Sequence, residues 1–192
     1  MNRHVFAAVP LPVHIKNAIH DVTLLLKDKV PFKQWVHPED LHMTLSFLGQ
    51  ADITKLNSLR EMLHRELLES PAFSLTLSTS GFFGKKQQPR IFWLGVKKEP
   101  ALIELQKKVH TSCEQAGFTL ESRVYSPHIT LAKRWKDTET TINEEFDGQE
   151  LASLAGQSFD VKDIVLYETH LDKVPKYQVI EKIPLKGDRN DS

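Results

Sequence analysis

The chain has 192 residues, enough for one sizeable hydrophobic core, and carries 25 lysines and arginines against 25 aspartates and glutamates. With no net charge there is no global positive field to hold a long nucleic acid through counterion release, so any nucleic-acid contact must be local. A 40% hydrophobic composition marks a soluble globular chain, and the single cysteine, Cys113, excludes an internal disulfide framework and a cysteine-rich zinc cluster, which fits the cytoplasm.

The first apolar run, His4 to Pro10, is too short for a signal peptide or a membrane span; it reads as a buried opening strand, and no export or membrane anchoring is expected. From Pro12 to about Lys27, Ile15, Ala18, Ile19, Val22, Leu25 and Leu26 recur at helical spacing and predict an apolar stripe packed on a sheet. His42 to Leu48 predicts a strand, and after Gly49 the segment Asp52-Ile-Thr-Lys caps a helix running to about Glu69. Phe73 to Ser80 and Arg90 to Val96 are strands joined by the turn-rich GFFGKKQQP, and together they predict a long hairpin. A third helix runs from Pro100 to Ala116, with Leu102, Leu105, Val109 and Cys113 on one face and Gly117 as the terminating glycine. A strand starts at His128; a weaker helix covers Thr138 to about Leu154; Phe159 to Leu171 and Lys176 to Leu185 are the last two strands. Strands in adjacent pairs among helices predict an α+β fold with largely antiparallel sheets, in a single domain over 1–186 with a disordered tail over 187–192.

Two tetrapeptides match, one in each half of the chain: His42-Met43-Thr44-Leu45 and His128-Ile129-Thr130-Leu131. Strand alternation puts His42 and Thr44 on one face and Met43, Leu45 and Phe47 on the other, a natural core face; His128 and Thr130 separate from Ile129 and Leu131 in the same way. Each strand therefore offers an imidazole beside a hydroxyl. One such tetrapeptide would be read as an ordinary strand histidine, satisfied by a carbonyl or by solvent; two in separate halves reverse that reading. Related by an approximate two-fold, the strands would bring both imidazoles to one cleft. A pair of imidazoles suits phosphodiester cleavage, since at neutral pH one can accept a proton while the other donates one, and the threonine hydroxyls can donate to non-bridging phosphoryl oxygens. A zinc site would need a third or fourth ligand, and no Cys-x-x-Cys or His-Glu-x-x-His supplies it, so no metal or other cofactor is expected.

At these residues the chain resembles the 2H phosphoesterase superfamily, which is defined by two His-x-Thr/Ser-x motifs. It is similar in particular to the RNA 2′,3′-cyclic phosphodiesterase branch, also called 2′-5′ RNA ligase-like or LigT-like. The similarity rests on Phe6-Ala-Ala, Leu41-His-Met-Thr-Leu-Ser-Phe-Leu-Gly49, Pro89-Arg90 before Trp93-Leu-Gly95, and Pro127-His-Ile-Thr-Leu-Ala132. The resemblance implies a bilobal fold, two largely antiparallel sheets with helices outside and a central cleft, and hydrolysis of an RNA terminal 2′,3′-cyclic phosphate to a 2′-phosphomonoester. It implies His42 as proton donor to the leaving 3′ oxygen, His128 as proton acceptor from the attacking water, and Thr44 and Thr130 as phosphate-binding residues. In the reverse direction a 5′-hydroxyl would attack the cyclic phosphate to form a 2′-5′ linkage. The implied partner is an RNA 3′ end or nucleotide bearing a 2′,3′-cyclic phosphate; neither a membrane nor a protein partner is implied, and a monomer is expected.

The chain departs from the family pattern after Pro-His-Ile-Thr-Leu-Ala, where an arginine is common and Lys133 stands here, followed by Arg134. A lysine neutralises phosphate as a point charge but lacks the planar two-pronged contact of arginine, and alternation would put Arg134 on the His128 face to compensate. Both are phosphate-binding candidates, weighed against a solvated strand end. Gly81 to Trp93 interleaves Phe82, Phe83, Phe92 and Trp93 with Lys85, Lys86 and Arg90, either a base-stacking platform or a hairpin with core aromatics. Cys113 reads as a buried packing thiol, and the seven remaining histidines lack a partner motif. Two other functions stay open: a sister phosphodiesterase acting on another small cyclic nucleotide or nucleotide phosphodiester, and a non-catalytic RNA-end binding module.

Overall fold

The computed structural model describes residues 3–85, 88–136 and 148–187. Among these residues nine strands and three α-helices follow one another as β1 (Arg3–Pro10), α1 (Val13–Leu26), β2 (Phe32–Trp35), β3 (His42–Ala51), α2 (Ile53–Leu67), β4 (Phe73–Gly84), β5 (Pro89–Val96), α3 (Pro100–Gln115), β6 (His128–Trp135), β7 (Ser158–Val161), β8 (Asp163–Thr169) and β9 (Tyr177–Pro184). Short 3-10 turns occupy Pro38–Asp40 and Gln149–Ser153.

Among the described residues all neighbouring strands in the sheet run antiparallel, in two arrays. One is β3-β1-β8-β9, and the other is β7-β4-β5-β6 with β2 on the outer part of β6. They join where β3 meets β6 at a single pair, Met43 opposite Ile129. Those two residues hold the same place in the two tetrapeptides, so an approximate two-fold passes between them and the two motifs lie side by side. This is the bilobal α+β arrangement the resemblance implies, its two sheets continuous through one bridge.

The helices form where apolar spacing (α1 and α3) and the Asp52 cap (α2) predict them. Asp52 caps α2 by accepting from the Lys55 amide at 2.9 Å. At the end of α3, Gly117 adopts φ +86° and the Phe118 amide reaches back to the Cys113 carbonyl at 3.0 Å, satisfying a carbonyl the helix would otherwise leave open. Each helix buries one stripe: Ile15, Ile19, Val22 and Leu26; Leu56, Leu59, Leu63 and Leu67; Leu102, Leu105, Val109 and Cys113. Leu25, expected in the first stripe, points outward and is exposed. Helices α2 and α3 pack on each other and against β9 and β3, while α1 lies against the two 3-10 turns.

Several boundaries differ from those expected. The hairpin β4–β5 is longer, because Gly81 to Gly84 continues the first strand and the second begins at Pro89. Strand β2 was not anticipated: four residues are too few to show a period. The run Phe159 to Leu171 breaks at Lys162 into β7, which pairs with β4, and β8, which pairs with β1, so one apolar run serves both arrays. Of the expected helix over 138–154, residues 148–154 contain the second 3-10 turn and 138–147 lie outside the described residues, as does the expected tail beyond Gly187. Among the described residues no helix is long and apolar enough to cross a membrane.

Candidate active site

His42 and His128 open β3 and β6, on opposite sides of the Met43–Ile129 bridge, and both line one cleft of about 520 Å³. Thr44 and Thr130 line it too. Each imidazole is held in the same way: His42 Nδ1 lies 2.7 Å from the Asp40 carbonyl oxygen, and His128 Nδ1 lies 2.7 Å from the Ser126 carbonyl oxygen, in each case two residues upstream. A carbonyl only accepts, so Nδ1 carries the proton in both rings and Nε2 is the nitrogen left for chemistry. His42 Nε2 is 3.1 Å from Thr44 Oγ1, which donates to it when the ring is neutral.

A second repeat is superimposed on the first. Against β1, Ala7 is opposite Ser46 and Ala8 opposite Thr44, so Leu45 is an extra residue; against β5, Phe92 is opposite Ala132 and Trp93 opposite Thr130, so Leu131 is extra. Both motifs thus carry a β-bulge directly after the threonine, and the consecutive pairs Leu45-Ser46 and Leu131-Ala132 are buried together. From that point simple alternation fails by one residue. Phe47, expected in the core beside Met43 and Leu45, turns back to the cleft, 60% exposed. At the equivalent place in β6, Lys133 joins His128 and Thr130 in the cleft, while Arg134, expected there by alternation, adopts φ 63° and lines a neighbouring groove.

The surroundings of the two histidines are unlike. The His42 ring sits among Phe6, Tyr167 and Tyr177, with ring centroids 4.8, 5.8 and 5.2 Å away. This burial pushes its pKa from 6.5 to about 4; the bond to the Asp40 carbonyl and the Asp40 charge oppose the shift, and the Lys133 and His128 charges add to it. Among the described residues His128 has one aromatic neighbour, Phe83, edge-on at 4.9 Å. Its pKa is also lowered, first by burial and then by Lys133, with the Ser126 carbonyl opposing. Burial and the nearby Lys176 lower the pKa of Lys133 itself.

Two supporting elements, Asp40 and Tyr125, had no signal in the sequence. The buried Asp40 carboxylate accepts from the backbone amides of Lys176 (2.9 and 3.0 Å) and Tyr177 (3.0 Å), tying the β8–β9 turn to the loop that holds His42. Tyr125 donates from its hydroxyl to the Thr44 carbonyl at 3.2 Å. Trp93 stacks at a tilt on Phe83 and lies so close to Gly81 that a Cβ there would fall 2.4 Å from the indole. The interleaved segment therefore divides. Phe82 and Phe92 stack at 4.7 Å in the interior with Phe32, whereas Phe83 and Arg90 face the cleft; Lys86 lies outside the described residues. Cys113 is fully buried, and burial pushes its thiol up to about 12, as suits packing.

A family model described as the 2′-5′ RNA ligase superfamily matches residues 11–173. A Geobacillus stearothermophilus protein named RNA 2′,3′-cyclic phosphodiesterase is 42% identical over 96% of this chain, which spans 58% of that protein's length. A Bacillus subtilis protein of the same name is 34% identical over 95% of this chain and 96% of its own. The solved structure of TT0787 from Thermus thermophilus shares the fold, with a TM-score of 0.79 at 24% identity over 96% of this chain and 99% of that one. The matched region runs through both arrays and both histidine strands, and the chain belongs to the 2′-5′ RNA ligase superfamily.

Proposed function

We propose that the protein is an RNA 2′,3′-cyclic phosphodiesterase that opens the cyclic phosphate to a 2′-phosphomonoester, with His42 as general acid and His128 as general base. The observation that carries this reading is the duplicated presentation of the two imidazoles. Both Nδ1 atoms are committed to carbonyls and both Nε2 atoms belong to one cleft, with a hydroxyl on each side and a lysine beside them. In the forward reaction, His128 Nε2 takes a proton from water, whose oxygen bonds to phosphorus. The bond from phosphorus to O3′ breaks, and His42 Nε2–H protonates O3′. Thr44 and Thr130 donate to the non-bridging oxygens, Lys133 offsets their charge, and exposed Phe47 offers its face to the base.

Unequal burial is compatible with these roles. The more depressed pKa makes His42 the stronger acid and leaves His128 the stronger base, although only a minority of free protein then carries the proton on His42. An anionic phosphate bound between the rings favours their charged forms and enlarges that minority. The reading also comprises one bilobal domain over 1–186 acting as a cytoplasmic monomer, with an RNA 3′ end or a nucleotide as its substrate, possible reversal to 2′-5′ joining at high RNA-end concentration, and no metal.

The test is hydrolysis of 2′,3′-cyclic AMP and of RNA ending in a cyclic phosphate, in excess EDTA, with the products separated by chromatography. Turnover to the 2′-phosphate is expected. A 3′-phosphate product would overturn the assignment of the leaving oxygen; no hydrolysis, or hydrolysis restored only by added metal, would overturn the two-histidine reading.

A further inference from the structure

Beside the cleft runs a second groove, which shares Arg90, Ile91, Lys133 and Tyr177 with it and continues past Arg134 and Lys176 to Leu171 at the β8–β9 turn. Four cations line it and, among the described residues, no carboxylate does. In a chain with equal numbers of acidic and basic residues, this is a local concentration of charge. None of the four forms an ion pair with a described carboxylate. Asp40, a buried acid, is occupied by the amides of Lys176 and Tyr177, and Lys133 has its pKa lowered first by burial and then by the like charge of Lys176. Like charges held together without counter-charges favour an anion with more than one charged group.

We propose that this groove binds the RNA chain on the 5′ side of the terminal nucleotide, Arg134 and Lys176 holding the phosphodiesters that precede the cyclic phosphate. The inference rests on the reading of the cleft as the site of the cyclic phosphate. A terminal nucleotide seated there leaves its 5′ oxygen attached to the next phosphodiester, and the groove begins at the same lysine that faces the reacting phosphate. Its composition suits a single strand: cations for the backbone, with Leu171 and Tyr177 as apolar and aromatic surface for ribose or base. The bulge after Thr130 sends Lys133 and Arg134 to different phosphates, and this separates the two roles that the sequence left undivided.

The test compares kcat/KM for 2′,3′-cyclic AMP with that for RNA trinucleotides and hexanucleotides ending in a cyclic phosphate. It uses the intact protein and the double variant Arg134→Asn/Lys176→Gln; asparagine accepts the left-handed backbone of residue 134. The intact protein is expected to favour the oligonucleotides. The variant is expected to lose on the order of tenfold on them through KM, and to flatten the salt dependence of KM by about 0.7 for each cation removed. Its mononucleotide turnover should stay within about twofold, which also shows that it folds. Absence of a length preference in the intact protein, or equal losses on mononucleotide and oligonucleotide, would overturn the groove. Fluorescence anisotropy with a 5′-labelled RNA hexanucleotide ending in a 3′-phosphate separates this from the cleft reading. If the protein cleaves no cyclic phosphate, the cleft reading fails. Binding lost in the double variant would still support the groove, and absent or unchanged binding would refute it.

Discussion

Replacing Asp40 by asparagine changes one atom's chemistry at the junction of the two supports of His42. The carboxylate is 5% exposed; one oxygen accepts from the amides of both Lys176 and Tyr177, and the other accepts from Lys176. The asparagine oxygen can keep the bifurcated pair, but its NH2 then faces an N–H donor and the charge assistance is gone. One charge-assisted bond lost and the rest weakened amount to about 2–4 kcal/mol. For a chain of this length that is a fall of roughly 5–12 °C in melting temperature. The substitution also has a signature that loosening alone lacks. The Asp40 charge holds the His42 pKa up, so its removal lowers that pKa further. The acid limb of the kcat/KM profile should move to lower pH, and the maximum should fall, because less of the protein carries a proton on His42. Thermal unfolding followed by circular dichroism, and kcat/KM for 2′,3′-cyclic AMP across pH, measure the two effects. A melting temperature within about 2 °C of the parent, or an acid limb displaced upward, would refute the reasoning.

Substituting either His42 or His128 with alanine should lower kcat by roughly 10²–10⁴ without loss of fold, and a leaving group of low pKa should restore only His42→Ala; rescue of His128→Ala instead would exchange the two roles. Lys133→Met removes a charge that lowers the pKa of both imidazoles, so both limbs of the kcat/KM profile should move to higher pH while KM rises; an acid shift would place the lysine outside the field of the pair. Phe47→Ala should cost little stability because the ring is mostly exposed, yet should weaken nucleotide binding by about 1–3 kcal/mol of base stacking, read as KM; an unchanged KM would remove Phe47 from the base site.

The parts of the site legible in the sequence are those that local rules determine. Apolar spacing placed α1 and α3, the Asp52 cap placed α2, and the duplicated tetrapeptide marked His42, His128 and the two threonines as neighbours in type and face. The misplaced residues, Phe47 and Arg134, both follow a β-bulge. A bulge is a property of pairing, two residues on one strand against one on the partner, and nothing within Leu45-Ser46 or Leu131-Ala132 announces it. Asp40 was invisible for a related reason. Its partners are amides 136 and 137 residues away, and a backbone donor leaves no mark on the sequence. Tyr167 and Tyr177 surround His42 only because β8 returns beside β1 and β9 beside β8.

Under the proposed function, the two-fold frame explains how a symmetric device would produce a directional reaction. Each half supplies the same parts in the same order: a carbonyl two residues before the histidine, an imidazole turned by it, a hydroxyl, and a bulge that returns one further side chain to the cleft. Were those parts alike throughout, both imidazoles would hold a proton equally, and a phosphate could bind in either orientation. The halves differ where the frame leaves freedom. The bulge returns an aromatic ring from β3 and an ammonium from β6, which under the proposed function gives base and phosphate different ends to find. Among the described residues three aromatic rings enclose His42 and one meets His128, so the proton is released more readily from the first than from the second. On the proposed reading, the direction of proton flow follows from this unequal burial of equivalent groups.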